Sequence, residues 1–359
     1  MATNEDLLGL DIATLSEKLH RREVSPLEVI DAYLARIEAT EPKLNAYITV
    51  TADSARAAAR ALGDELARGQ WRGPFHGIPV ALKDLCYTRG VRTTGGSKIL
   101  SDFIPGHDAT VWERLLQAGA ILLGKLNLHE FAAGGSSNNP HFGPVHNPYD
   151  LSRIAGGSSG GSSAALAAHS ALAAIGTDTG GSIRMPAALS GGVGLKPTYG
   201  RVSRFGVIPL AYSVDHIGPM TRSVRDAALM LNIIAGHDVK DATSSAQPAA
   251  DYSSAIAQGI QRMRIGVVRE LCEGLDPEVE KSFNAALETL TALGAAVEEI
   301  SIPYLGMSAA AAARTMIVRA ESFDFHQRWV LERPQDYGAD VRRLVELGMT
   351  VPAISYVRA

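Results

Sequence analysis

Between Ala155 and Ala165 the chain uses only Gly, Ser and Ala, in the order AGGSSGGSSAA. No other stretch constrains the fold so strongly, because side chains this small let two backbones approach closely and bury little apolar surface of their own. An alanine-rich segment, SSAALAAHSALAA, reads as a helix and leads into GTDTGGSIRMP at residues 176–186. Both small-residue clusters carry serines, and each opens a helix-like segment. Helix N-termini and glycine turns expose unpaired N–H groups, which can hold an anion or a developing oxyanion. Close backbone packing is the plainer reading of either cluster alone; the pair is harder to explain that way.

Around these clusters helical and strand patterns alternate, which implies an α/β sheet. In VSPLEVIDAYLARIEA, Ser25 can cap, Pro26 suits the first helical position and Glu28 completes a capping box, with Leu27, Ile30, Leu34 and Ile37 as the apolar stripe. GIPVALKDLCY (77–87) and AILLGKLNL (120–128) read as strands, the second fed by a helix DATVWERLLQAG capped by Asp108. Further on, MRIGVVREL, DPEVEKSFNAALETLTALG and AAVEEISIP read as strand, helix and strand, a crossover unit. The polar stretch 236–255 reads as a surface loop, with no change of composition beyond it to mark a second domain.

Charge and composition narrow the function. A net charge of −4 provides no field for nucleic acid, and no basic run suggests a membrane surface. No segment reaches transmembrane length, the N-terminus lacks a signal-peptide pattern, and two cysteines, Cys86 and Cys272, make neither a disulfide framework nor a metal pair. A cytoplasmic protein is expected. Ten histidines are scattered without metal spacing; His141 and His146 do not match a helical zinc motif. Neither metal nor cofactor is expected.

A phosphate loop needs a lysine after its last glycine, and GTDTGGSIR has none. Ser158 and Ser159 both satisfy Gly-x-Ser-x-Gly, but a nucleophile elbow follows an apolar strand, whereas HNPYDLSRIA reads as loop. Serine chemistry without a histidine needs another base. Lysine serves only when neutral, and so must be desolvated below its ordinary pKa of roughly 10.4. Lys83 ends the apolar strand GIPVALKD, and reads either as such a base or as a charge at a strand end.

PVALKD with Lys83, GGSSGGSSAA and GTDTGGSIRMPA, together with GLKPTYGRVSRFGV and VDHIGPM, resemble the amidase signature family, serine hydrolases that cleave amide C–N bonds. The likeness covers most of residues 10–230 and extends more loosely to about residue 325. It implies a three-layer α/β/α sandwich around a large mixed β-sheet. It also implies a single amidase domain over 1–359: an N-terminal helical layer (1–70), a signature core (71–230) and, from 260 to 359, the second half of the sheet. Ser182 is implied as nucleophile, Ser158 as bridging serine after a cis peptide from Gly157, and Lys83 as general base. The implied oxyanion hole is made by N–H groups of Thr179, Gly180 and Gly181. Ala132, Ala133 and Gly134 match a segment that lines the acyl pocket, although residues so small equally suit close packing. Asp178 and Arg184 are expected to support the loop, Ser159 to hydrogen-bond within its turn, and Cys86 to be a small core residue.

The resemblance implies that family domains continue past the point where this chain stops, at AISYVRA in what reads as a helix; the chain is read as cut short there, and a fragment would leave an open sheet edge. The substrate expected is a small-molecule amide, with carbamates and esters within reach of the same acyl-enzyme; a homodimer is left open. The glutamine-hydrolysing subunit of a tRNA-dependent amidotransferase is the alternative, and His216, where such subunits tend to carry glutamine, argues for a stand-alone hydrolase. A truncated, inactive module is the third reading.

Overall fold

The computed structural model describes residues 4–306 and 308–359. After a short helix at Asn4–Leu8, whose Leu7 and Leu8 join the core, come two longer helices, α1 (Ile12–His20) and α2 (Pro26–Leu44). The capping box expected for α2 forms: Ser25 Oγ accepts from Glu28 N at 3.2 Å, and Glu28 Oε2 accepts from Ser25 N at 2.8 Å. Ile30, Leu34 and Ile37 are buried and Leu27 half-buried, so the predicted stripe is the face that packs inward. Then come β1 (Tyr47–Val50), α3 (Ala52–Ala67), β2 (Pro79–Lys83), α4 (Thr110–Gln117) and β3 (Ile121–Leu126). Asp108 does not cap α4. The helix starts one residue later, after Ala109, and Asp108 Oδ1 instead accepts from Arg89 N at 2.6 Å.

The alanine-rich segment is where sequence propensity misleads. Helix α5 occupies only Gly160–Ala167, and Ala173–Asp178 forms a strand, β4. His169 takes a left-handed φ of 58° that ends the helical course. Alanine favours helix in isolation, but every residue of β4 is buried at the centre of the sheet, where backbone pairing on both sides outweighs that preference. Its small side chains also let α5 lie close, with Ser162 Oγ donating to Ile175 O at 3.2 Å.

After α6 (Arg184–Leu189) come β5 (Val193–Gly194), β6 (His216–Thr221) and α7 (Val224–Ile234). The six strands form one mixed sheet in the order β1-β3-β2-β4-β6-β5. β2 runs parallel to both β3 and β4, while β6 pairs antiparallel with β4, His216 opposite Asp178. With helices packed on it the architecture is the expected α/β/α sandwich. The parallel order at the centre brings the C-terminal ends of β2 and β4, Lys83 and Asp178, to the same edge.

Residues 260–359 depart from expectation. β7 (Arg264–Val268), α8 (Pro277–Ala292) and β8 (Ala296–Ile300) make the predicted parallel crossover, yet β7 and β8 pair only with each other and add nothing to the six-stranded sheet. The remainder is helical: α9 (Ser308–Glu332) and α10 (Ala339–Gly348) form a hairpin whose Val330, Tyr337, Val341 and Val345 join Leu85, Leu128 and Phe131 in a second apolar cluster. This hairpin becomes one wall of the site.

Candidate active site

Lys83 is the last residue of a strand buried along its whole length, and its own side chain is fully buried. Its Nζ lies 2.7 Å from Ser158 Oγ, 2.8 Å from Thr177 Oγ1 and 3.0 Å from Ser159 Oγ. Among the described residues no carboxylate lies within ion-pair distance of it. Burial lowers its pKa to about 7, against a smaller opposing influence from Cys86, Asp178 and Asp215. A neutral amine suits three hydroxyls: it donates to two and accepts from the third.

Ser158 and Ser159 reach Lys83 because the loop before α5 passes close beneath the neighbouring segment. The Gly157–Ser158 peptide is cis. A Cβ at Gly157 would sit 2.9 Å from the backbone carbon of Gly135 and the backbone nitrogen of Ser137, so the tight passage requires glycine. Ser158 O accepts from His129 N at 3.1 Å, tying this loop to the segment that carries Ala132. Ser159 precedes α5 but does not turn in on its own loop as expected. Its Oγ reaches Lys83 and exchanges hydrogen bonds with the backbone of Thr177, both at 3.3 Å.

The second cluster forms a turn between β4 and α6 organised by one buried carboxylate. Asp178 Oδ1 accepts from Gly181 N at 2.8 Å, and Oδ2 from Ile183 N at 3.1 Å; Arg184 adds Nε to Oδ2 and Nη2 to Oδ1, each at 3.0 Å. Burial acts to raise the Asp178 pKa, but these hydrogen bonds and the guanidinium outweigh it and hold the carboxyl below its usual range. Of the three N–H groups expected to form the hole, that of Gly181 donates to Asp178, and the φ of +124° at Gly181 gives the turn its shape. Thr179 and Gly180 face the cavity.

Ser182 lines a cavity of about 490 Å³ together with Ala132, Ala133, Gly134, Thr179 and Gly180. Its carbonyl accepts from Ser159 N at 3.3 Å, so both serine clusters and Lys83 meet in one place. Gly134 lines the cavity, and a Cβ there would collide with the His129 ring. The far wall comes from α9 and α10, including Arg314, Arg319 and Arg343. Among the described residues these three guanidinium groups have no ion-pair partner. Glu130, buried, holds that wall in place by accepting from Gly338 N at 2.8 Å and Ser97 Oγ at 2.5 Å.

Several of these residues escape the sequence reading. Thr177 stands in GTDTGGS, and only its burial beside Lys83 singles it out. Asp215 accepts from Thr179 Oγ1 at 2.6 Å and is buried; it lies in VDHIGPM but carries no pattern of its own. Lys125 does carry a signal, since ILLGKL is as apolar as PVALK, and it too is fully buried. The arginines are spread over two helices and nothing in their spacing joins them. Cys86 is the core residue expected, its thiol pushed up to about 12 by burial. His216 directs Nδ1 towards Val214 O and Asp178 O, at 2.8 and 3.2 Å.

Comparison with known proteins gives this arrangement a family. The sequence profile described as Amidase matches residues 28–347. A glutamyl-tRNA(Gln) amidotransferase subunit of Geobacter sulfurreducens is 46% identical over 372 aligned residues, covering 99% of this chain and 76% of the relative. Among solved structures, the native peptide amidase of Stenotrophomonas maltophilia superposes with a TM-score of 0.87 at 34% identity, covering 98% of this chain and 78% of that one. A structure described as a vestigial protein complex that reveals the evolutionary origins of an s-triazine catabolic enzyme superposes with a TM-score of 0.92 at 38% identity, covering 97% of this chain and 76% of that one. The fold defines an α/β hydrolytic enzyme acting on amide C–N bonds. The chain belongs to the amidase family. Among the described residues no helix is long and apolar enough to cross a membrane, and no group of three or more His, Cys, Asp or Glu is placed to hold a metal.

Proposed function

We propose that the chain works as one amidase domain that hydrolyses small-molecule amides through an acyl-enzyme on Ser182. The observation that carries this reading is the setting of Lys83, fully buried against three hydroxyls with no carboxylate among the described residues to hold its proton. Neutral Lys83 takes a proton from Ser158 while Ser158 takes one from Ser182, whose oxygen attacks the amide carbon. The resulting oxyanion faces Thr179 and Gly180, whose N–H groups are the proposed donors; losing one such donor typically costs about 100-fold to 1000-fold in rate. Reversing the relay delivers the proton to the leaving amine as the C–N bond breaks. Water then repeats the sequence on the acyl ester, releasing the carboxylic acid and restoring Ser182. Asp178, through Gly181 N–H and Arg184, holds the turn that presents these groups.

A second reading, hydrolysis of glutamine to supply ammonia to a protein partner, is favoured by the kinship with the Geobacter amidotransferase and by Arg314, Arg319 and Arg343, which suit a carboxylate-bearing amide. His216 favours the stand-alone enzyme. A fluorophosphonate probe followed by peptide mass spectrometry tests the chemistry common to both: the adduct is expected on Ser182, with the labelling rate cut by orders of magnitude in Lys83→Ala. Labelling elsewhere, or undiminished in that variant, would remove the assignment. Release of ammonia from glutamine against release from neutral aryl amides then separates the two substrates.

A further inference from the structure

Immediately after Lys83 the chain carries a carboxylate, Asp84, and both side chains are fully buried. An uncompensated negative charge so near would favour the charged form of Lys83. The fold turns it away. In the β2–β3 register Leu82 pairs with Lys125 and Lys83 with Leu126, so Lys125 stands on the face opposite to the Lys83 side chain, and there it meets Asp84. Lys125 Nζ lies 3.0 Å from Asp84 Oδ1 and donates to Cys86 O at 2.8 Å and Thr93 Oγ1 at 2.6 Å. Thr94 completes the pair, its N–H and Oγ1 donating to Asp84 Oδ2 at 2.8 and 2.6 Å. Two buried lysines on adjacent strands are therefore treated in opposite ways: Lys125 is given a carboxylate and Lys83 only hydroxyls.

Stability alone does not account for the pair, since a buried ion pair is often no more stabilising than apolar side chains of equal volume. The remaining charged groups around Lys83 are already answered. Asp178 is held by Arg184 at 3.0 Å, Asp215 accepts from Thr179 Oγ1 and two backbone N–H groups, His216 addresses carbonyls, and the Cys86 thiol is buried and protonated. We propose that Lys125 is a positioning residue for proton transfer: by neutralising Asp84 on the far face of the sheet, it keeps Lys83 able to act as a neutral base. This rests on the assignment of Lys83 as base.

The test is the pH dependence of fluorophosphonate labelling of Ser182 in the full chain. Lys125→Met leaves Asp84 uncompensated, favours the Lys83 ammonium and is expected to move the acid limb of the profile to higher pH, by about one unit. Asp84→Asn leaves Lys125 uncompensated and is expected to move it to lower pH. The double variant is expected to return the limb to the wild-type position, a reversal that mere loss of packing would not produce. Single variants that fold normally, by circular dichroism, but leave the limb in place or move it in the same direction would overturn the proposal. Should Lys125→Met not fold, Asp84→Asn decides alone, an unchanged or alkaline-shifted limb being the contrary result. A limb that persists in the residual labelling of Lys83→Ala would instead sink the base assignment, and this proposal with it.

Discussion

At the scale of single residues, the proposed chemistry depends on what a lysine is allowed to touch. Lys83 and Lys125 sit in similar apolar strands and are equally buried, yet one faces serines and a threonine and the other an aspartate. What differs between them is the neighbours. The sign of the pH effect follows. With its pKa lowered to about 7, Lys83 carries a proton below that pH and cannot accept one from Ser158. Acylation is therefore expected to rise about tenfold per pH unit through the acid side and level off above pH ~7. The initial rate of Ser182 labelling between pH ~5 and ~9 checks this, and a flat profile would contradict it. Lys83 is legible in the sequence because it ends an apolar strand. Thr177 and Asp215 are not, because a hydroxyl near a strand end or a carboxylate in a loop gains meaning only from what is packed against it.

At the scale of elements, the loop before α5 and the turn after β4 are built to meet. Gly157 lets the first pass within contact of the Gly135–Ser137 backbone, and Asp178 folds the second around its own carboxylate. Gly157→Ala forces a Cβ into a space 2.9 Å from backbone atoms that cannot swing aside. It is expected to reduce Ser182 labelling by at least about 100-fold, since a displacement near 1 Å at a catalytic group costs about that much. Near-wild-type labelling of a folded Gly157→Ala protein would show that the approach is slacker than described. The small-residue run signals this closeness from sequence alone. The extent of α5 is not legible there, because alanine's helical preference continues across residues that the sheet claims for β4. Local propensity is worth tenths of a kcal/mol per residue, and pairing with two neighbouring strands exceeds it.

At the scale of the molecule, burial is unevenly distributed. The six-stranded sheet lies under α1 to α7 with Leu15, Leu19, Ile30, Leu82 and Ile175 fully buried, whereas α8 has no buried residue at all and β7 and β8 pair only with each other. Local opening costs least where few apolar contacts are lost. Amide hydrogen exchange is expected to be faster across 264–300 than across β2 and β4 by at least about 100-fold, measured by mass spectrometry on peptic fragments. Equal protection in the two regions would mean that they open as one unit.

By itself the sequence determined the alternation of strands and helices, the capping of α2, the family, and the three residues Lys83, Ser158 and Ser182 on which the proposed chemistry rests. The alternation and the cap are carried by periodicity and capping residues, whereas the family and the three residues are implied by the resemblance of short motifs to the amidase signature family. Tertiary structure alone decided that β7 and β8 stand apart from the main sheet, that Asp178 takes the Gly181 N–H, that arginines from two helices share a cavity with Ser182, and that Lys125 rather than solvent answers Asp84. Each of these depends on which distant groups come within a few ångströms of one another once water is excluded, and no local pattern encodes that.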